Sequence, residues 1–119
     1  PSLFTIDIYL LEKYNVIMNV VTLKTLRLFW ERHPEAEVPL RNFLKVIRRA
    51  RFSNLNELRL FFPHADLVKN KMGVTLIVFN IGGNNFRIVA DVDFQFQVLY
   101  VKHVFTHTEY DSWNKKGRP

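Results

Sequence analysis

The spacing of apolar residues changes its period once along this chain, near Val74, and that change constrains the fold more than any other feature. Upstream of Val74, apolar residues recur every three or four positions, the period of an α-helix that buries one face. Downstream, β-branched and aromatic residues alternate with polar ones, as in strands with one buried face. The sequence therefore predicts an α+β domain with helices packed on one face of a small curved antiparallel sheet.

The helical part is predicted to follow a short strand. Residues 18–22 form a β-branched segment that predicts this first strand, and Thr22 is a candidate N-cap for a helix that runs to His33. A second helix is predicted to begin at Pro39 and to bury Leu40, Phe43, Leu44, Ile47 and Ala50. A third, shorter helix is predicted over residues 54–61.

The sheet part is predicted to contain a hairpin, one more strand and a short C-terminal helix. Residues 74–81 are a β-branched run, residues 82–85 supply a turn that tolerates positive φ, and residues 86–93 alternate apolar and polar side chains. The last strand is predicted over residues 97–105 and the helix over residues 106–113. Together with the first strand, this predicts four strands.

The chain length of 119 residues leaves room for one domain. We expect an N-terminal extension over residues 1–17, a compact domain over 18–113 that starts naturally at Met18, and a basic flexible tail over 114–119. The chain has no cysteine, which excludes disulfides, a thiolate nucleophile and cysteine-based zinc or iron–sulfur sites.

Charge and hydropathy bear on location and partners. The apolar runs are far shorter than the ~20 residues of a membrane span, and the first residues lack the basic start of a secretory signal. These features predict a cytoplasmic protein that makes no membrane contact. The net charge of +6 favours a polyanionic partner, either a nucleic acid or an acidic protein surface.

Arg87 is the first candidate for chemistry. It lies on the polar side of the strand over residues 86–93, so its guanidinium is expected to stand over the open face of the sheet. The planar guanidinium binds phosphate through paired, charge-assisted hydrogen bonds. The alternative, which the pattern by itself favours, is a surface ion pair with Asp91 on the same face.

His103 and His107 lie at the end of the last predicted strand, four residues apart. A neutral imidazole there is suited to accept a proton from a ribose hydroxyl, and an imidazolium is suited to stabilise a phosphorane. Zinc is a poorer interpretation, because no cysteine and no third ligand accompany the pair. The alternative is one structural histidine in the strand and one at the helix start.

The start of the last helix contains a further candidate, Tyr110. Thr106 and Glu109 have the spacing of a capping box, so part of this segment is needed only to begin the helix. Tyr110 and Trp113 are three residues apart and are suited to pack together into the core. Tyr110 is equally suited to present its ring and hydroxyl to an RNA base.

Cations gather on one side of the second predicted helix. At 100° per residue, the residues of this basic stripe lie opposite the core face: Arg41, Lys45, Arg48, Arg49 and Arg51. Such a stripe is suited to hold a nucleic-acid backbone, although a solvated helix face has the same pattern. Lys102, near the two histidines, is a further candidate for backbone binding.

Two segments together resemble the HigB toxins of bacterial type II toxin–antitoxin pairs. The segments span residues 78–89 and 100–111 and include Gly82-Gly83-Asn84-Asn85-Phe86-Arg87 and Thr106-His107-Thr108-Glu109-Tyr110-Asp111. Residues 26–34 and 58–63 resemble the helical half of the same family, so the resemblance covers residues 18–113. It implies membership of the wider RelE/ParE superfamily, in which helices pack on one face of a curved antiparallel sheet.

The resemblance also implies an activity. HigB and RelE toxins are endoribonucleases that cut mRNA, commonly on the ribosome, without a metal or organic cofactor, and a cognate helix-turn-helix antitoxin (HigA-like) silences them. By position, it implies that Arg87 contacts the scissile phosphate and that His107 and Tyr110 supply the remaining groups. From the chemistry of cleavage we expect His107 to be the base or acid, and Tyr110 to stack on a base or to align the attacking hydroxyl. His103 and Lys102 are second choices for these roles. Two alternatives remain: a ParE-like inhibitor of DNA gyrase, and a non-catalytic RNA-binding module.

Overall fold

A computed structural model of the chain describes residues 17–119; residues 1–16, nearly all of the predicted extension, lie outside the described residues. The described part contains strands β1 (Asn19–Val21), β2 (Asp66–Lys69), β3 (Thr75–Ile81), β4 (Phe86–Asp93) and β5 (Val98–Thr106). It also contains helices α1 (Leu23–Arg32), α2 (Glu37–Ile47), α3 (Leu55–Phe61) and α4 (His107–Lys115), with a 3₁₀ turn at Pro34–Ala36. The predicted α+β class is confirmed.

The five strands form one sheet in the order β1-β5-β4-β3-β2. Strands β2 to β5 pair with their sequence neighbours in antiparallel fashion, but β1 pairs parallel to β5. The sheet is therefore mixed, where the sequence predicts antiparallel pairing throughout. No short hairpin joins β1 to β5, so the path of the intervening chain sets their direction, and that path is not visible in local periodicity.

Strand β2 was not predicted. It has four residues, and only Val68 among them is buried, so it lacks the alternation that marks a longer strand. It forms one edge of the sheet beside β3. The described sheet therefore has five strands where the sequence predicts four.

Helices α1, α2 and α3 cover one face of the sheet. Their buried side chains pack with those of β3 and β4 that point to this face, in one core that includes Leu26, Phe29, Leu40, Phe43, Ile47, Leu58, Phe79, Ile88 and Ala90. The predicted alternation in β4 is confirmed, because Phe86, Ile88 and Ala90 belong to this core and the residues between them do not. The polar side of β4 therefore faces away from the three helices.

Helix α2 is shifted toward the N-terminus relative to its prediction. It begins at Glu37, two residues before Pro39, and the proline still lies in the first turn, where a missing N–H costs nothing. It ends at Ile47 because the following chain turns back to the sheet, where Met18 N–H donates to the Ala50 carbonyl at 3.1 Å. Arg48 is thus the C-cap, and Arg49 and Arg51 lie beyond the helix.

The short helix α4 packs on the opposite face of the sheet. Trp113 is buried against Val68, Val78 and Val89, with Phe105 and Tyr110 at the edge of this smaller cluster. Residues 114–119 are predicted as a flexible tail, but the first two belong to α4 and the next ones form its C-terminal cap. Arg118 N–H donates to Trp113 O at 2.9 Å, and the N–H of Gly117, with φ of 82°, donates to Asn114 O at 3.0 Å. Within residues 17–119, no helix is long and apolar enough to cross a membrane.

Candidate active site

Arg87 is the centre of the candidate site, on the face of β4 that the first three helices leave open. Its side chain is only 6% exposed. Nη1 donates to the carbonyls of Asn84 and Phe86, both at 3.0 Å, and Nη2 donates to Asn84 Oδ1 and to His107 Nδ1 at 3.2 Å. The two terminal nitrogens thus have four acceptors within the described residues. Asp91, the alternative partner that the sequence predicts, is not among them. The guanidinium is a fixed charge rather than a mobile surface cation.

Tyr110 covers this guanidinium. Its ring centroid lies 5.5 Å from Arg87 Cζ, within the range of a cation–π contact. The ring also contacts the aromatic side chains of Phe105, at 6.5 Å, and Trp113, at 6.0 Å between centroids. Tyr110 therefore packs on the smaller cluster, which is the first of its two predicted roles, and its ring borders the Arg87 guanidinium. Its contact with an RNA base stays a prediction.

His107 lies between Arg87 and an acidic residue. Its Nε2 is 3.3 Å from Asp111 Oδ2, and its Nδ1 is 3.2 Å from Arg87 Nη2. An arginine side chain offers only donors, so Nδ1 must be the acceptor in this contact and carries no proton. The ring proton of the neutral imidazole then lies on Nε2 and points to the Asp111 carboxylate, which accepts it.

Two sets of contacts hold His107 beside Arg87. The predicted capping box is confirmed: Glu109 N–H donates to Thr106 Oγ1 at 3.1 Å, and Thr106 N–H donates to Glu109 Oε1 at 2.8 Å. In addition, His107 N–H donates to the carbonyl of Asn85 at 2.9 Å, which ties the first residue of α4 to the β3–β4 turn. The turn that holds Arg87 thus also holds His107.

His103 lies apart from this group. Its ring stacks on Phe105, with centroids 4.9 Å apart and planes at 13°, and contacts Trp113 at 5.4 Å. Burial, and to a lesser extent the neighbouring Lys102 ammonium, lower the pKa of His103 below its usual value. His103 is therefore mainly neutral at neutral pH and does not join Arg87 and His107 within the described residues.

Lys102 is exposed at an irregular position of β5. The register shifts there, because Val89 pairs with His103 while Ala90 pairs with Val101, so Lys102 is an extra residue in a β-bulge. It borders a cleft of about 320 Å³ on the sheet face, which is lined by Asn70, Val74, Leu76, Asp91, Lys102, His103 and Pro119. The structure thus places Lys102 and His103 in a neighbouring cleft.

The basic stripe lies on the other side of the molecule. All five of its residues are exposed on the helical layer, and Arg41, Lys45 and Arg48 border a shallow groove of about 360 Å³ together with Leu44. Arg41 is occupied by an ion pair with Glu37 at 2.8 Å and lies 4.7 Å from the centroid of the Trp30 ring. The structure therefore does not bring the stripe together with Arg87 and His107.

Sequence reasoning missed two residues of the site, Asn84 and Asp111. Asn84 supplies two of the acceptors of Arg87, one from its backbone and one from its side chain. Asp111 contacts His107 from one helical turn away. The signal for Asp111 was present, because residues four apart on a helix share a face. Within residues 17–119, no three His, Asp or Glu side chains cluster in a way that would hold a metal ion.

Comparison with known proteins identifies the family. Residues 36–113 match the family described as HigB_toxin, RelE-like toxic component of a toxin–antitoxin system. The chain is 34% identical over 89 residues to the mRNA interferase HigB of Escherichia coli O6:H1 (strain CFT073), an alignment that covers 73% of this chain and 82% of that protein. It is 35% identical over 96 residues to the mRNA interferase toxin HigB of Escherichia coli K12, covering 79% of this chain and 88% of that protein. The chain therefore belongs to the HigB toxin family, the RelE-like toxic components of toxin–antitoxin systems.

Proposed function

We propose that this protein is an mRNA interferase, a toxin that inhibits translation by cutting mRNA at the Arg87–His107 site. The observation that carries the proposal is the 3.2 Å contact between Arg87 Nη2 and His107 Nδ1, which joins a buried, fixed cation to a half-exposed imidazole at the start of α4. RNA cleavage by its own 2′-hydroxyl needs these two groups, one for the charge on phosphorus and one for the proton. The relatives named mRNA interferases support it.

The proposed reaction begins when a scissile phosphate reaches Arg87. An anionic phosphate oxygen is a stronger acceptor than an imidazole, so Nη2 turns from His107 to the phosphate. His107 Nδ1 then accepts the proton of the 2′-hydroxyl while the 2′-oxygen bonds to phosphorus. The bond from phosphorus to the 5′-oxygen breaks, and the 5′-oxygen takes a proton from water, which leaves a 2′,3′-cyclic phosphate. This route needs neither a metal nor an organic cofactor.

Other residues of the open face are proposed to hold the RNA. Tyr110 lies beside the phosphate site and is proposed to stack on an RNA base or to align the attacking hydroxyl. The exposed Lys102 ammonium binds a backbone phosphate next to the cut. His103 is neutral near pH 7 because its pKa is lowered, so it is a weaker candidate for proton donation than His107 is for proton acceptance.

Partners are proposed at two levels. As the toxic component of a toxin–antitoxin system, the protein has an antitoxin partner. We further propose that this antitoxin is a helix-turn-helix, HigA-like protein, that the target is mRNA on the ribosome, and that the toxin acts in the cytoplasm. The basic stripe is proposed to bind RNA, in the ribosome or the message, and thereby to orient the toxin. The toxin domain is proposed to span residues 18–113.

The test is a toeprinting assay with purified protein on ribosomes that carry a defined mRNA. The wild type is expected to produce cuts, and Arg87→Lys is expected to reduce their rate by about 10²- to 10³-fold, because lysine keeps the charge but loses the paired hydrogen bonds. Arg27→Lys is the matched control, because Arg27 lies on the exposed side of α1 and its ion pair with Glu31, at 3.8 Å between two exposed side chains, is weak. Circular dichroism verifies that each variant is folded.

Two outcomes would contradict the proposal. If the wild type leaves mRNA intact on and off the ribosome but inhibits supercoiling by DNA gyrase, the gyrase-inhibitor alternative replaces it. If Arg87→Lys cuts as fast as the wild type, the cleavage site is elsewhere. The names of the relatives do not favour the gyrase alternative.

A further inference from the structure

We propose that Asp111 is a positioning residue of the cleavage site, which orients the His107 ring so that Nδ1 faces Arg87 and the phosphate. This proposal rests on the proposed function and extends it by a residue that the resemblance assigns no role. The three side chains Arg87, His107 and Asp111 contact one another in a row. The imidazole of His107 makes both polar contacts, with its Nδ1 3.2 Å from Arg87 Nη2 and its Nε2 3.3 Å from Asp111 Oδ2.

The arrangement follows from helix geometry. His107 is the first residue of α4 and Asp111 lies one turn later on the same side, where its carboxylate contacts Nε2, the outer nitrogen of the ring. The inner nitrogen then points to β4, where Arg87 is held by Asn84. Rotation of the ring by 180° would move Nδ1 away from Arg87 and would end both contacts at once.

The hydrogen-bonding capacity of Arg87 and Asp111 determines which nitrogen of the His107 ring carries the proton. Arg87 donates to Nδ1, so a neutral ring has its proton on Nε2, where the Asp111 carboxylate accepts it. When phosphate draws Nη2 away, Nδ1 keeps its orientation because the second contact remains. After Nδ1 has taken the 2′-hydroxyl proton, the imidazolium faces a carboxylate, which stabilises its charge.

The described residues contain a second histidine–carboxylate pair, His33 and Glu35, which lacks the arginine contact. His33 Nδ1 lies 3.8 Å from Glu35 Oε1 on the helical layer, where the Glu35 side chain is 66% exposed. That contact is longer than the contact of Asp111, and His33 has no arginine on its other nitrogen within the described residues. It provides a matched control in the same protein.

The experiment is a double-mutant cycle on mRNA cleavage with Asp111→Asn, His107→Gln and the combined variant. Asp111→Asn is expected to lower kcat by roughly 10- to 100-fold, by analogy with the loss seen when the hydrogen-bond partner of a metal-bound histidine is removed, with KM changed by less than about twofold. Asp111→Glu is expected to restore most of kcat, and Glu35→Gln to leave it unchanged. The combined variant is expected to be no slower than His107→Gln alone, because Asp111 acts only through His107.

Long-range ¹H–¹⁵N spectra of the histidine rings give a readout that does not depend on cleavage. The wild-type His107 ring, assigned by its loss in His107→Gln, is expected to carry its proton on Nε2 at pH 7.5. A proton on Nδ1 would overturn the orientation whether or not the protein cuts RNA. Additive losses in the cycle, or an unchanged kcat in Asp111→Asn, would overturn the role of Asp111 while the proposed function stands. A wild type that cuts no mRNA would overturn both.

Discussion

The basic stripe on the helical layer and Arg87 on the sheet both carry positive charge, but they carry it in opposite ways. The Arg41 side chain is 60% exposed and pairs with Glu37 one turn away. Arg87 is 6% exposed, and its terminal nitrogens have four acceptors on three residues. One region spreads charge over a surface, whereas the other fixes a single charge at a defined point.

This difference in exposure indicates that the two regions have different roles, one in attracting RNA and the other in catalysis. Exposed cations attract a polyanion over roughly 10 Å and are screened by salt, but they do not define where a phosphate stops. A buried cation with fixed acceptors needs little reorganisation when charge develops beside it, which is the property that stabilises a transition state. We therefore expect the stripe to affect mainly RNA binding, and Arg87 to affect mainly the rate of cutting.

The largest effect on stability and cleavage is expected from a variant that keeps Arg87 but removes one of its hydrogen-bond acceptors. Asn84→Ala deletes the side-chain acceptor of Nη2 and is expected to lower the free energy of unfolding by about 1.5 kcal/mol, the cost of a lost hydrogen bond to a charged group. The kcat for mRNA cleavage should fall with it. Denaturant unfolding and cleavage kinetics measure both quantities, and Asn85→Ala is the control in the same turn. Equal behaviour of the two variants would show that Arg87 needs no fixed acceptor.

A smaller effect is expected from the stripe. Replacing Lys45, Arg48 and Arg49 together by glutamine should raise KM about tenfold at low salt, leave kcat unchanged and flatten the salt dependence of binding, since each cation contributes separately to counterion release. Arg27→Gln is the control outside the stripe. A change in kcat rather than in KM would contradict the proposal that the stripe acts in RNA binding and not in the cleavage step. Unchanged cleavage together with weaker binding of the antitoxin would assign the stripe to that partner.

The smallest effect is expected from His103, where burial acts on a second basic group of the same sheet face. An arginine guanidinium stays charged in proteins, whereas burial lowers the pKa of His103 and keeps it neutral. Protons therefore bind the unfolded chain more readily, so stability is retained above pH of about 6.5 and falls as the pH drops below that value. Denaturant midpoints at pH 7.5 and 5.5 should differ less in His103→Phe than in the wild type. An identical pH dependence in that variant would contradict this, and the exposed His64→Gln is the control.

Local patterns were sufficient for much of this fold. The alternation through β4, the capping box at Thr106 and Glu109, and the helix at residues 54–61 were all predicted, because each depends on residues a few positions apart. The exposure of Arg41 and Lys45 follows from the helical period, whereas Arg49 and Arg51 are exposed in the chain that follows α2. Strand β2 escaped prediction because a four-residue edge strand with one buried side chain has too little pattern to be distinguished from a loop.

Long-range contacts were beyond the reach of periodicity. Gln97 is an example, because its buried side-chain amide both donates to and accepts from the backbone of Phe52, 45 residues away, and so ties the loop after α2 to the sheet. Nothing in the neighbourhood of Gln97 indicates this role. The parallel pairing of β1 with β5 is of the same kind. Both contacts depend on how the chain brings two distant segments together, and the spacing of neighbouring residues does not determine this.

The sequence by itself determined the α+β class, the face of β4 on which Arg87 lies and the helix start that presents His107, since these follow from periods of 2 and 3.6 and from capping. Only the tertiary structure decided that Arg87 and His107, 20 residues apart, meet at 3.2 Å, and that the stripe lies behind the sheet from them. The physical reason is that a pattern sets the face of an element, whereas packing of elements on two faces of one sheet sets which faces meet.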